Sequence, residues 1–477
     1  MKNCILTLLI IAIFVGKVHS CSAIVLKNNQ QIFLAKNFDW TFRQGVILKN
    51  LRGLTKTAYY THQGSQASWI SKYGSITFNQ NGKEMPYGGM NEKGLAIEML
   101  WLDLTKYNLK DQKMYVNELE WIQYQLDNFA TVEEVTSHLN DFKIYPIKGK
   151  IHYILTDPSG SSVIIEYLNG KAMSYPKESQ FCQAITNNSV YHSASYKDQI
   201  KGLRKNNAVS GYRYHLLEKV ITETDENRQW TEAGVFDVLK KVTIPKGDFK
   251  TMWSIVYNIR QKSISYYSDS HKKIKSVFLA DMDFDHDLSY LDINQDEVTM
   301  LKSETLKKYD EKINTRYVST SLEHLGIDKE TGLDISQHQF DPTTQSSSLF
   351  AARYFHFEIS VPMDEERQTG FLAVMDNEKN FKRRQAVTGG YLYGNIAKGS
   401  FVAHIYGLKN GRYAMLAFID QNQNRKPDFG SKDQAGEKYA TFGDQYFNSE
   451  KELTFWNTSA EFSSSNAEVE VIWKQKS

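Results

Sequence analysis

Cys21-Ser22-Ala23-Ile24-Val25-Leu26 and Gln31-Ile32-Phe33-Leu34-Ala35-Lys36-Asn37-Phe38-Asp39-Trp40 flank a polar tetrapeptide, Lys27-Asn28-Asn29-Gln30. Two apolar runs around a turn-like segment predict a β-hairpin. Its first residue is a cysteine, and its returning strand ends in Lys36 and Asp39. Brought beside a cysteine at a chain terminus, a carboxylate orients the amine and a cation lowers the thiol pKa. Lys and Asp closing a hairpin are more often a solvated turn, so this stretch needs support from the rest of the chain.

What precedes Cys21 supplies some. Met1-Lys2-Asn3 is a short basic start, Ile5 to Val15 is almost unbroken apolar sequence, and Val18-His19-Ser20 leads into the cysteine. This is the pattern of a signal peptide, and the apolar run is too short to span a bilayer. The expectation is an exported protein, periplasmic or secreted, whose residues 1–20 are removed. Removal takes away Lys2, Lys17 and Cys4, leaving acidic and basic residues equal in number and Cys21 as the amino terminus. Two chemistries begin there. One is lipidation of the cysteine, giving a surface-anchored binding protein, although Val18-His19-Ser20 is a poor lipobox. The other is an N-terminal nucleophile: an α-amino group near pKa ~8 can take the thiol proton at neutral pH, which a lysine amine near ~10.4 cannot do as readily.

Composition narrows the class further. With 57 Lys+Arg against 55 Asp+Glu in 477 residues, the chain lacks the basic excess of a nucleic-acid binder. Its 28 Tyr, 25 Phe and 8 Trp against 8 Pro exclude a disordered chain and favour strands. Three cysteines make no disulfide scaffold.

Further blocks follow in order. They are Tyr87-Gly88-Gly89-Met90-Asn91-Glu92-Lys93-Gly94-Leu95-Ala96, Ile185-Thr186-Asn187-Asn188, Ser210-Gly211-Tyr212-Arg213-Tyr214, and the strand-like Thr251 to Tyr267 and Lys275 to Asp285. Together with Cys21 and the Lys36 to Trp40 strand end, they resemble the choloylglycine hydrolase family, the N-terminal-cysteine amidases that include bile salt hydrolases and penicillin V acylases. The resemblance covers roughly residues 21 to 290. It implies an α+β, four-layer αββα N-terminal-nucleophile hydrolase and hydrolysis of linear amides such as conjugated bile salts, penicillin V or N-acyl homoserine lactones. It also implies roles. Cys21 is the nucleophile and its amine the base, Asp39 holds the amine, Asn187 donates its side-chain amide to the oxyanion, and Arg213 supports the site electrostatically. No cofactor or metal is called for, and the oligomeric state stays open: the resemblance allows a homo-oligomer, whose interface an extra domain could block. Two positions depart from it. Lys36 stands where an arginine is usual, and Lys offers a point charge rather than a planar fork. Trp101, in Glu98-Met99-Leu100-Trp101, stands where bile salt hydrolases carry Asn; its backbone N–H still suits an oxyanion, but its indole reshapes the pocket or simply packs in the core.

Elsewhere, Asn117 to Leu126, Thr131 to Leu139, Gly211 to Val220 and Trp230 to Val242 read as helices, the second opened by a capping box. Asp281, Asp283, Asp285 and Asp287 alternate as on one face of a strand, and Cys182 reads as a buried small hydrophobe. Residues 21–310 are expected to form the amidase domain and 311–348 a linker, although the highly charged Glu304 to Tyr317 could be a helix; the linker reading rests on Asp341-Pro342-Thr343-Thr344-Gln345-Ser346-Ser347-Ser348. Residues 349–477, with short alternating strands such as Gly370 to Met375, Gly411 to Ile419 and Lys451 to Trp456, are expected to form a C-terminal β-sandwich. Asp420, Asn422, Asn424 and Asp428 have calcium-loop-like spacing, but Arg425 sits where an EF-hand needs Gly.

Overall fold

The computed structural model describes residues 20–28, 30–59, 67–109, 114–176, 183–195, 206–225 and 228–340. In the C-terminal region it describes 355–360, 370–383, 388–392, 394–395, 400–405, 411–419, 439–441, 453–462 and 468–472. The signal-peptide reading, Cys182, the Asp341 to Ser348 segment and the Asp420 to Asp428 loop therefore lie outside the described residues, save for Ser20.

The hairpin forms as expected: Ser22–Lys27 pairs antiparallel with Ile32–Trp40. It sits inside a seven-stranded sheet, with Ala184–Ile185 on one side and Lys250–Asn258 on the other. The strands read as nearly continuous apolar runs because both faces are covered. Alternate residues Ile24, Leu26, Phe33 and Ala35 face Tyr214, Leu217, Val235 and Leu239 of the helices Ser210–Glu223 and Glu232–Lys241. Ala23, Val25, Leu34 and Phe38 face the main core.

That core is shared with a nine-stranded sheet in which Ala96–Trp101 lies between Ile151–Thr156 and Pro86–Asn91. Phe38 of the first sheet stacks on Tyr87 of the second, and Tyr257 meets Phe78 edge to face. On the second sheet's far side, the helix Glu120–Asn128 places Trp121 against Tyr153, ring centroids 4.2 Å apart. The order is helix, sheet, sheet, helix. The capping box is present at Thr131, whose hydroxyl accepts from Glu134 N–H while the Glu134 carboxylate accepts from Thr131 N–H.

Two expectations need correction. Residues 311–340 are not a linker but two helices, Glu311–His324 and Lys329–Phe340. Asp310 caps the first by accepting Ile313 N–H, and Asn314, Tyr317, Val318, Ser321 and Leu322 form its buried face. Its many charged residues lie on the other face and mask the apolar stripe in the sequence. Asn314 accepts from Lys83 N–H and donates to Gln339, so the pair is locked to the two-sheet core. Nor do Asp281 to Asp287 form a strand. A 3-10 turn ends at Asp281 and Asp287 has φ 53°; the bend is held by Lys49, which donates to the carbonyls of Asp283 and His286.

In the C-terminal region the described residues form a four-stranded and a five-stranded sheet. Gly370–Met375 and Gly411–Ile419 pair with the expected bounds, whereas the region of the expected Lys451 to Trp456 strand contains a turn, followed by the strand Ser459–Phe462.

Candidate active site

Cys21 begins the first strand and is 5% exposed. Its N–H donates to Asn187 Oδ1 at 2.8 Å, and its thiol donates to the Asp39 carbonyl at 3.6 Å. Antiparallel pairing across the hairpin returns Lys36 and Asp39 to this end of the sheet. Asn187 arrives from the short strand on the other side, which pairs Ile185 with Ala23.

Arg213 ties these parts together. Fully buried near the start of its helix, it donates to Ser22 Oγ (2.9 Å), the Asn207 carbonyl (2.7 Å), the Cys21 carbonyl (3.2 Å) and Asn187 Oδ1 (2.7 Å). The guanidinium thus fixes the orientation of the Asn187 amide. Asn187 Nδ2 donates to the Trp101 carbonyl at 3.0 Å. An amide NH₂ has two donors, so one hydrogen is left to point at a substrate oxygen. Leu102 N–H bonds the Lys150 carbonyl across the neighbouring strand. Trp101, one residue earlier, therefore turns its N–H and carbonyl to the opposite edge, where Asn187 lies.

Asp39 is buried, and its Oδ1 accepts from Thr251 Oγ1. The strand carrying Thr251 has a bulge between Thr251 and Trp253, a device that re-aims side chains at active sites. Asp39 Oδ2 is buried without a hydrogen-bond partner. Desolvation pushes this carboxyl up to about 8, against the lowering influence of Arg213, Thr251 and Lys36. The Cys21 thiol is likewise pushed up to about 12 by burial, with Lys36 the chief opposing influence. The resting group is a protonated thiol and needs a base to become a nucleophile.

Lys36 does not point a free cation at the sulfur. Its Nζ pairs with Glu98 Oε2 at 2.5 Å, approaches the Tyr87 carbonyl at 3.5 Å, and lies 5.4 Å from the Phe38 ring centroid.

Cys21 and Asp39 open onto a cavity of about 650 Å³, its mouth included, walled by Phe38, Trp40, Tyr87, Met99, Trp101 and Ile151. Trp101 is thus pocket lining rather than closed core, its indole N–H bonded to Asp103 at 2.7 Å. The structure brings together all six residues singled out by sequence. Sequence reasoning missed Thr251, Glu98 and Glu118. Thr251 appeared only as the first residue of a strand-like block, and Glu98 only in the tetrapeptide that carries Trp101. Glu118 accepts from the N–H groups of Ile147, Lys148 and Gly149 and so holds the loop that forms one pocket wall. Among the described residues no group of three or more His, Cys, Asp or Glu is placed to hold a metal ion.

Residues 21–214 match the linear amide C-N hydrolases, choloylglycine hydrolase family. The matched segment contains Cys21, Lys36, Asp39, Trp101, Asn187 and Arg213. A penicillin V acylase of Pectobacterium atrosepticum is 34% identical over 154 residues, which are 28% of this chain and 40% of that protein. The alignment thus spans less than half of that relative's length. The solved penicillin V acylase of Agrobacterium tumefaciens superposes with a TM-score of 0.52 and 26% identity, covering 61% of this chain and 98% of its own. A conjugated bile acid hydrolase variant of Clostridium perfringens is 17% identical, with a TM-score of 0.47 over 59% of this chain and 98% of its own.

Proposed function

We propose that this protein is a cysteine amidase of the choloylglycine hydrolase type that hydrolyses the linear amide bond of N-acyl amides. The observation that carries the reading is the unpartnered, buried Asp39 Oδ2 beside the first residue of the hairpin. A buried carboxylate oxygen without a donor is costly. Removal of residues 1–20 turns the Cys21 nitrogen into an α-amino group, with new hydrogens for that oxygen to accept.

In the proposed cycle the amine takes the thiol proton and Sγ bonds to the amide carbonyl carbon. Asn187 Nδ2 and the Trp101 N–H receive the oxyanion; one such preorganised donor lowers a barrier by roughly 3 kcal/mol. The carbon–nitrogen bond breaks as the Cys21 ammonium protonates the leaving amine. Water then attacks the thioester, its proton passing to the Cys21 amine, and the carboxylic acid leaves with the thiol restored.

Candidate substrates are conjugated bile salts, penicillin V and N-acyl homoserine lactones. The alternative of a lipid-anchored binding protein is disfavoured by the burial of Cys21. Residues 349–477 are read as an attached β-sandwich without a catalytic role.

The test is a hydrolysis panel over these three substrate classes with the chain beginning at Cys21. Turnover by that chain, lost in Cys21→Ala, supports the reading. Equal turnover in Cys21→Ala, or a diacylglyceryl mass on Cys21, overturns it.

A further inference from the structure

The pocket wall farthest from the catalytic strands in sequence comes from the helix Glu311–His324, at the point where that helix stops. Gly326 N–H bonds the Glu323 carbonyl at 2.9 Å and Ile327 N–H bonds the Leu322 carbonyl at 2.9 Å, while Gly326 takes φ +72°. These paired bonds around a left-handed glycine are a Schellman cap. Such a cap folds the chain back sharply, and here it returns Ile327 to the side of Leu322. Leu322, Leu325 and Ile327 all line the cavity that contains Cys21.

The cap is fastened to the catalytic strand. His324, in the last turn, bonds Thr41 Oγ1 and stacks on Phe42, with ring centroids 5.2 Å apart, two and three residues beyond Asp39. Ser321 Oγ donates to Asn81 Oδ1 at 2.7 Å, and Asn81 is itself a pocket residue. Distance from nucleophile to cap is thereby set by the strand that also positions Asp39.

Away from Cys21 and Asp39, the polar liners Asn81 and Glu118 are already engaged. Asn81 Oδ1 accepts from Ser321 and Tyr87, and the Glu118 carboxylate accepts three backbone N–H groups. The cavity's other liners are largely apolar, with Phe38, Trp40 and Trp101 aromatic and Leu119, Ile147 and Ile151 aliphatic. We propose that the Leu322–Leu325–Ile327 cap is the specificity-determining wall of the site, selecting N-acyl amides whose apolar acyl group extends from the Cys21 sulfur to that wall and ends there.

This rests on the amidase reading above, and the experiment separates the two. The substrates are straight-chain acyl p-nitroanilides from two to fourteen carbons, with phenylacetyl p-nitroanilide alongside. The proteins are the wild type, Ile327→Ala, Leu325→Ala and Ile327→Trp, each checked for an unchanged thermal transition. Wild-type kcat/KM is expected to rise about fourfold for each methylene buried, up to an optimum length. Ile327→Ala and Leu325→Ala move that optimum to longer chains. Ile327→Trp moves it to shorter ones and lowers turnover of the longest substrates at least tenfold, while acetyl p-nitroanilide changes less than twofold. Gly326→Ala strains the cap without changing a lining side chain and is expected to flatten the length dependence. An active wild type whose length profile is the same in all folded variants overturns the proposal and leaves the amidase reading standing. A folded wild type with a free Cys21 amine that cleaves none of the series overturns both.

Discussion

Lys36 Nζ and Glu98 Oε2 stand 2.5 Å apart between the two sheets, each side chain 1% exposed. The other Glu98 oxygen accepts the Tyr257 hydroxyl at 2.6 Å. A Cβ on Gly88 would lie 2.2 Å from the Glu98 carboxylate, so this pair requires glycine across the strand. Such a pair is weak evidence of stability when whole and a liability when broken. Lys36→Met or Glu98→Leu alone is expected to cost about 3–5 kcal/mol, and the double variant to recover most of it. Urea denaturation of the four proteins reads this directly.

Asp39 gives a stability signature. In the chain that keeps the Ser20–Cys21 bond, its pKa of about 8 exceeds the unfolded value near ~4, so the folded state holds the proton more tightly. The resulting contribution is full below pH ~4 and lost as pH rises toward about 8. Asp39→Asn should therefore weaken the fall in unfolding free energy over that window and be the more stable protein at pH 8. Chemical denaturation at several pH values checks it.

Thr251 lowers the Asp39 pKa by donating to Oδ1. Thr251→Val removes that donor and moves the carboxyl pKa higher. Where activity requires ionised Asp39, the acidic limb of the kcat/KM profile moves to higher pH, with a smaller loss at its plateau. An acidic limb that stays in place contradicts this role for Asp39.

Asn187 has its amide held by Arg213 at 2.7 Å. Asn187→Ala is expected to lower kcat/KM by about 10²- to 10³-fold, mostly in kcat, as loss of an oxyanion donor does. Arg213→Lys keeps the charge but cannot reproduce four separate hydrogen bonds, so a similar kcat loss is expected without a large change in KM. Steady-state kinetics on one substrate suffices.

Glu118 organises three consecutive amides of the pocket loop. Glu118→Gln leaves one carboxamide oxygen in place of two carboxylate oxygens, so at least one of those amides loses its acceptor. KM is expected to rise more than kcat falls, with faster hydrogen exchange at Ile147, Lys148 and Gly149.

Local patterns were legible. The hairpin and the capping box at Thr131 each depend on a short motif whose residues stay adjacent in the fold, whereas Asp39, Asn187 and Arg213 were named through the family resemblance. Glu98 was not, because its partners Lys36 and Tyr257 come from other strands and nothing in Ala96 to Trp101 marks one carboxylate as inward. A helix near Glu311 was open in the sequence, but the packing of residues 311–340 on the core was hidden for another reason. Their buried face uses Asn314 and Ser321 alongside apolar residues, which blurs the periodicity that separates a packed helix from a charged linker.

The seclusion of Cys21 also bears on how this protein should be probed. A buried, protonated thiol is a poor target for iodoacetamide or a maleimide, because those reagents capture thiolate and need access to it. Slow alkylation would then say nothing against a functional cysteine. A suitable reagent carries its electrophile on an apolar tail that fits the cavity, so that reaction at one sulfur, in a denaturant-sensitive manner, becomes a count of correctly assembled sites.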